Sequence, residues 1–260
     1  MCHKLVSAVL TVICLSGCAT SPMGRSQLIF MPDSEVNSMG LQAFADIKKK
    51  TPVSHNGREN QFVQCVAAAI TREVGGQWEA VVFEDKTANA FALPGGKIGV
   101  NTGLLKIATN QDQLATVIGH EVGHVLARHS NERLSQETAV KGGLVLAQSV
   151  TGPQSMLGQA GMAMLGLGAQ YGILMPYSRV HESEADDMGL ELMARAGFNP
   201  RESVILWQKM EQANKGQPPE FLSTHPSHAS RIQDLQNRMP RALQLQQQAS
   251  AMGKQPRCVP

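Results

Sequence analysis

The residues best equipped for chemistry lie in ATNQDQLATVIGHEVGHVLARHS, Ala108–Ser130, which holds His120, Glu121 and His124. On an α-helix, positions four apart sit about 40° apart around the axis and one turn above each other, so both imidazoles can reach one metal ion. Glu121 lies one step round, where its carboxylate reaches a water on that metal rather than the metal itself. H-E-x-x-H on a helix is therefore a pattern for zinc chemistry, two nitrogen ligands beside a general base. The stretch reads as one helix. Asn110 is an N-cap with Gln113 three residues on, a capping-box arrangement. Leu114, Val117, Ile118, Val122, Val125 and Leu126 give a surface broad enough to bury it, and a buried His-Glu-His needs a partner.

Zinc also needs a third protein ligand. HESEADD, residues 181–187, supplies the candidates. Glu182 and Asp186 are four apart and share a face, so one can bind metal while the other orients a ligand imidazole. Glu184 and Asp187 form a second pair at i,i+3, and spacing alone favours Glu182 only modestly. His181 reads as a flanking residue.

The elements that must hold these residues follow from periodicity. Ser34–Lys50 and Asn60–Val74 read as helices, and Gln77–Glu84 as a strand. Asn89–Gly103, NAFALPGGKIGVNTG, reads as a hairpin whose strands could form an edge for an extended peptide. Ala139–Met175 is apolar and Gly-rich, but Pro153 and several glutamines interrupt it. It suits a flap or a buried connection better than a membrane span. Tyr177–Ala196 returns to helix, and Asn199-Pro200-Arg201-Glu202 opens another. Thr224-His225-Pro226 precedes a last helix to about Met239, and the Gln-rich residues beyond read as peripheral.

The chain opens MCHKLVSAVLTVICLSGCAT, with Lys4, an 11-residue apolar run Leu5–Leu15 and a small-residue site ending in Cys18. The run is too short to span a membrane and suits a signal peptide. Leu15-Ser16-Gly17-Cys18 resembles a bacterial lipobox, so cleavage and acylation are expected at Cys18. The expected organisation is 1–17 signal peptide, 18–33 lipid-anchored tether, 34–240 one domain and 241–260 tail. Net charge is +2 and aromatics are 4%, which leaves no basis for a nucleic-acid surface. Cys65 and Cys258 remain in the exported part, either as a disulfide or as two independent thiols.

H-E-x-x-H, then E-x-x-A-D beginning 58 residues beyond His124, then a downstream H-P, resembles the HtpX and CAAX-protease type of zinc gluzincin, as does N-A-F-A-x-P-G-G before the motif. The signal peptide and lipobox without spanning helices resemble its soluble periplasmic lipoprotein branch, like LoiP and BepA. Only about 20 residues follow Met239, fewer than the repeat-bearing region of BepA, which favours the LoiP-like reading. The resemblance implies an α+β, mostly helical zincin with a small sheet beside the H-E-x-x-H helix. It implies one zinc held by His120, His124 and Glu182, Glu121 as general base and Asp186 as the carboxylate behind a ligand. His225 matches a His that can approach zinc as a fourth ligand and hold the enzyme latent, and Arg231 is a candidate transition-state stabiliser. The implied activity is endopeptidase action on unfolded or misfolded envelope proteins, beside the outer-membrane assembly machinery, in the periplasm of a Gram-negative bacterium. The rival expectation is a zinc-stabilised, chaperone-like lipoprotein with little proteolysis.

Overall fold

The computed structural model describes residues 18–151, 177–213, 220–225 and 230–260. The expected signal peptide and most of Ala139–Met175, the stretch expected to be a flap or a buried connection, lie outside them. Two compact units are present: the described parts of Met1–Val36 with Arg128–Met175, and of Asn37–Ala127 with Pro176–Pro260.

In the first unit, strands β1 (Cys18–Thr20) and β2 (Ser26–Leu28) pair antiparallel, so the expected tether region carries a short hairpin. Its turn closes through Ser21 N–H to Arg25 O at 2.8 Å. Helix α1 (Asp33–Lys50) begins in this unit and belongs to the second from Asn37 onward; it is acidic in its first turn and ends in Lys48, Lys49 and Lys50, as the helix dipole favours. Helix α4 (His129–Thr151) completes this unit.

The second unit holds the α+β core. Helix α2 (Gly57–Arg72) is capped by Asn56, whose side chain accepts from the Arg58 and Glu59 N–H groups. Strands β3 (Glu79–Phe83), β4 (Ala90–Leu93) and β5 (Lys97–Asn101) form a sheet of order β3-β5-β4, with β3 parallel and β4 antiparallel to β5. The β4–β5 hairpin is the expected one. Gly95 and Gly96 turn it at φ 87° and 73°, and a Cβ on Gly96 would lie 2.1 Å from Gln77 O. Val82, Ile98 and Val100 pack in one core with Val63, Val66 and Ile70 of α2 and with Leu114, Val117, Ile118 and Val122 of helix α3 (Gln111–Leu126). Helices α5 (Arg179–Arg195), α6 (Arg201–Ala213), α7 (Glu220–Thr224) and α8 (Arg231–Ala251) complete it. Among the described residues, no helix is long and apolar enough to cross a membrane.

Three expectations are corrected. The helix expected over Ala108–Ser130 ends at Leu126. Arg128 takes φ 57° and redirects the chain before α4 begins. That conformation costs a non-glycine residue about 1–2 kcal/mol, which the Arg128 Nε bond to Asp33 Oδ1 at 3.0 Å helps to offset. The last helix does not stop at Met239 but runs through Pro240 to Ala251, because Ala242, Leu245 and Ala249 continue its buried stripe. Nor is the tail peripheral. Cys258 is buried and bonded to Cys65 of α2 with Cα atoms 5.6 Å apart, and Lys254 Nζ lies 2.7 Å from Glu73 Oε1.

Candidate metal centre

Helix α3 is buried on every side from Gln113 to His124. Its N-terminus is fixed by Asn110 Oδ1, which accepts from Gln113 N–H at 2.8 Å, while the Gln113 side chain reaches back to Thr109 N–H at 3.1 Å. Small residues let α5 approach it. A Cβ on Gly119 would lie 2.8 Å from Gly189 O, one on Gly123 3.0 Å from Ala185 O, and one on Gly189 2.6 Å from His120 N. The two helices therefore meet backbone to backbone. This close crossing brings the first turn of α5, capped by the Ser178 side chain onto His181 N–H, over the two imidazoles.

There the structure gathers His120, His124, Glu182 and His225, all buried, with one candidate ligand atom from each lying within 4.8 Å of the others. His120 Nε2 is 3.0 Å from His124 Nε2 and 3.5 Å from Glu182 Oε2, and His124 Nε2 is 3.4 Å from Glu182 Oε1. His225 Nδ1 lies 3.2 Å from His120 Nε2 and 3.1 Å from Glu182 Oε1. Facing imidazole nitrogens beside a carboxylate are reconciled by a cation among them, and a nitrogen–oxygen donor set of this size suits zinc. Glu184 is not a member of the cluster, so the choice left open by spacing falls to Glu182.

The groups behind the ligands are equally defined. Asp186 Oδ1 lies 2.9 Å from His120 Nδ1. A carboxylate there accepts the Nδ1 proton, which leaves Nε2 free to bind metal. Arg231 is 1% exposed, and its Nε and Nη2 donate to Asp186 Oδ2 at 2.7 Å and Glu182 Oε2 at 2.6 Å. Its guanidinium lies over the Trp207 ring at 3.9 Å. Arg231, the candidate transition-state stabiliser, thus engages through Nε and Nη2 the two carboxylates that set the ligand geometry.

Glu121 Oε2 accepts from the Ala92 N–H of strand β4 at 3.1 Å, and its Oε1 is 3.2 Å from His225 Nε2. Burial pushes the Glu121 carboxyl up, partly opposed by the charges of His225 and His120. Burial also holds His124 well below the ordinary imidazole value, which suits a ligand. For His120, burial opposes the charged form, but hydrogen bonds to Asp186 and Glu182 outweigh it and push the group up to about 10. Glu182 goes the other way. Burial would raise it, yet hydrogen bonds from His120, His124 and His225 hold it far below the carboxylate range.

Several residues of the site carried no motif. The Tyr177 ring stacks on His124 at 3.9 Å, and Phe221 stacks on His225 at 4.4 Å. The four-residue step from Phe221 to His225 is a helical spacing that sequence could have used. Trp207 offered no such signal, and the Ala92 contact is main chain.

The comparisons agree with this geometry. The model of Peptidase family M48 matches residues 54–239. The mitochondrial metalloendopeptidase OMA1 of Schizosaccharomyces pombe is 39% identical over 168 residues, which are 64% of this chain and 48% of that protein. Danio rerio OMA1 is 37% identical over 239 residues, 85% of this chain and 50% of the relative. Metalloprotease LoiP of Escherichia coli is 26% identical over 226 residues, 86% of this chain and 88% of LoiP. The chain thus spans about half the length of these OMA1 relatives. With the family model covering both the helix of His120 and His124 and the helix of Glu182, the chain belongs to peptidase family M48.

Proposed function

We propose that the protein is a zinc-dependent metalloendopeptidase acting on unfolded or misfolded polypeptides of the cell envelope. The observation that carries this reading is the position of Glu121. It sits beside four potential ligands and is held by the backbone of the sheet's edge strand β4. Zinc held by His120, His124 and Glu182 would lower the pKa of a water toward about 7 and polarise a scissile carbonyl. Glu121 takes the proton from the attacking water and passes it to the leaving amine. Its buried, raised carboxyl brings its basicity closer to that task. Asp186 fixes the His120 ring, and Arg231 fixes Asp186 and Glu182. An extended substrate lying along β4 would be held mainly through its main chain, which suits unfolded protein better than one sequence.

The lipobox-like Cys18 supports a lipid-anchored periplasmic location at the outer membrane, with the assembly machinery there as a partner. LoiP and the Yersinia pestis beta-barrel assembly-enhancing protease are among the relatives. A second reading has a specific observation behind it. His225 stands inside the ligand cluster and against Glu121, as expected of a latent, zinc-stabilised protein. Glu121→Gln tests the enzyme reading. It should retain zinc and fold while digestion of unfolded casein falls to background; wild-type rates in that variant would remove Glu121 from the chemistry and with it the proposal.

A further inference from the structure

The chemistry above makes no use of the N-terminal hairpin, yet the hairpin is firmly built. Arg25 donates from Nη1 and Nη2 to the two Glu132 oxygens at 2.7 and 2.6 Å, and Gln27 Nε2 adds a bond of 2.9 Å to the same carboxylate. Phe30 N–H bonds Ser135 Oγ at 3.2 Å. Glu132 and Gln27 are each 3% exposed, so these charge-assisted bonds act in surroundings where they are strong. They fasten the strands to α4.

The exposed side carries apolar residues beside Ser26. Along β2 exposure alternates through Ser26, buried Gln27 and Leu28, and the same period assigns Phe30 to the side of Leu28. Leu28 is 36% exposed, Phe30 45%, and Met23 at the tip 45%. Single exposed apolar residues need no explanation. What sets this group apart is the ladder: the residue paired with Leu28 is Cys18, the candidate lipidation site. Opposed Cα atoms in such a ladder are about 5 Å apart. A lipid on Cys18 would therefore be attached to the backbone position directly opposite an exposed leucine.

We infer that Met23, Leu28 and Phe30 form a membrane-seating face that rests in the headgroup region of a phospholipid bilayer, as a second contact beside the acyl anchor. Such a contact scales with buried apolar area and needs no basic patch, and Arg25, the hairpin's cation, is committed to Glu132. The inference rests on the acylation of Cys18 included in the proposed function.

The test uses the full chain, exported in a Gram-negative host and purified from its membranes, with and without Phe30→Trp. Each protein is reconstituted with phosphatidylethanolamine–phosphatidylglycerol vesicles whose acyl chains are brominated near the headgroup, and intact mass reports acylation separately. The indole introduced by Phe30→Trp should lose emission to the bromolipid beyond any loss in the parent, which carries Trp78 and Trp207. An acylated protein whose added emission is not quenched would overturn the inference and leave the anchor standing. Quenching without acylation would keep the lipid-seeking face and remove the anchor. Neither quenching nor acylation would remove both. Casein digestion by the variant, expected to equal that of the parent, confirms that the fold is intact.

Discussion

Arg231→Met removes the cation that lies between two buried carboxylates while keeping most of the side-chain volume. Glu182 is fully buried and Asp186 nearly so, and each loses a charge-assisted bond shorter than 2.8 Å. Stripping one partner from such a pair costs about 3–5 kcal/mol, because the remaining charge stays buried. The guanidinium stacked on Trp207 contributes on the same scale, up to about 2 kcal/mol, and does not simply add. At about 2–4 °C per kcal/mol for a domain of this size, the metal-free variant should melt roughly 6–20 °C below the parent. Zinc changes the expectation in a specific direction. A divalent ion on Glu182 replaces part of the lost positive charge, so the deficit should shrink by about half when zinc is present. Arg231→Lys should fall between, since one ammonium cannot bridge both carboxylates as the planar fork does. Thermal unfolding with chelator and with excess zinc decides the matter. A metal-free Arg231→Met protein melting within about 2 °C of the parent would refute the claim that Arg231 holds the ligand carboxylates.

The remaining expectations concern the proton, the disulfide and the fourth imidazole. Without metal, His120 is pushed up from 6.5 to about 10, so its charged form stabilises the fold fully below about pH 6.5 and that contribution is lost as pH rises through about 10. Zinc must displace that proton, so zinc affinity should rise about tenfold per pH unit between pH 7 and 9; calorimetry showing no proton release at pH 7 would contradict it. Cys258→Ser opens a link between residues 193 apart and should cost at most about 5 kcal/mol, read as a lower denaturation midpoint than the parent. An unchanged midpoint would mean the disulfide is energetically silent. His225→Ala should raise casein digestion severalfold with zinc retained, because it clears both the ligand cluster and Glu121. Unchanged activity at unchanged zinc content would leave His225 a structural residue.

The sequence was most readable where one local rule sufficed. Asn110 capped its helix, Gly95-Gly96 turned its hairpin, and the four-residue steps His120–His124 and Glu182–Asp186 described real helix faces. It was least readable where distant packing decided the outcome. Arg128 turns the chain with no glycine to announce it, because its strain is answered by Asp33, 95 positions earlier. The last helix, expected to run to about Met239, is carried through Pro240 by the buried residues beyond it. The crossing of α3 and α5 was written in small residues, Gly119 and Gly123 against Ala185 and Gly189, yet only the fold shows that the two sets face one another. Spacing favoured Glu182 over Glu184 only modestly, since both lie on one helix and both are buried. The choice depends on which side α3 occupies.

The Cys65–Cys258 bond has a topological consequence. It closes the polypeptide into a covalent ring, and His120, Glu121, His124, Glu182, Asp186, His225 and Arg231 all lie on that ring. A single backbone cut anywhere between the two cysteines, by another protease or by a second copy of this chain, opens the ring without severing the molecule. The nicked protein would migrate as one species until reduced and as two pieces afterwards. Every metal ligand would remain in one covalent unit, so damage to an intervening loop would not by itself scatter the site.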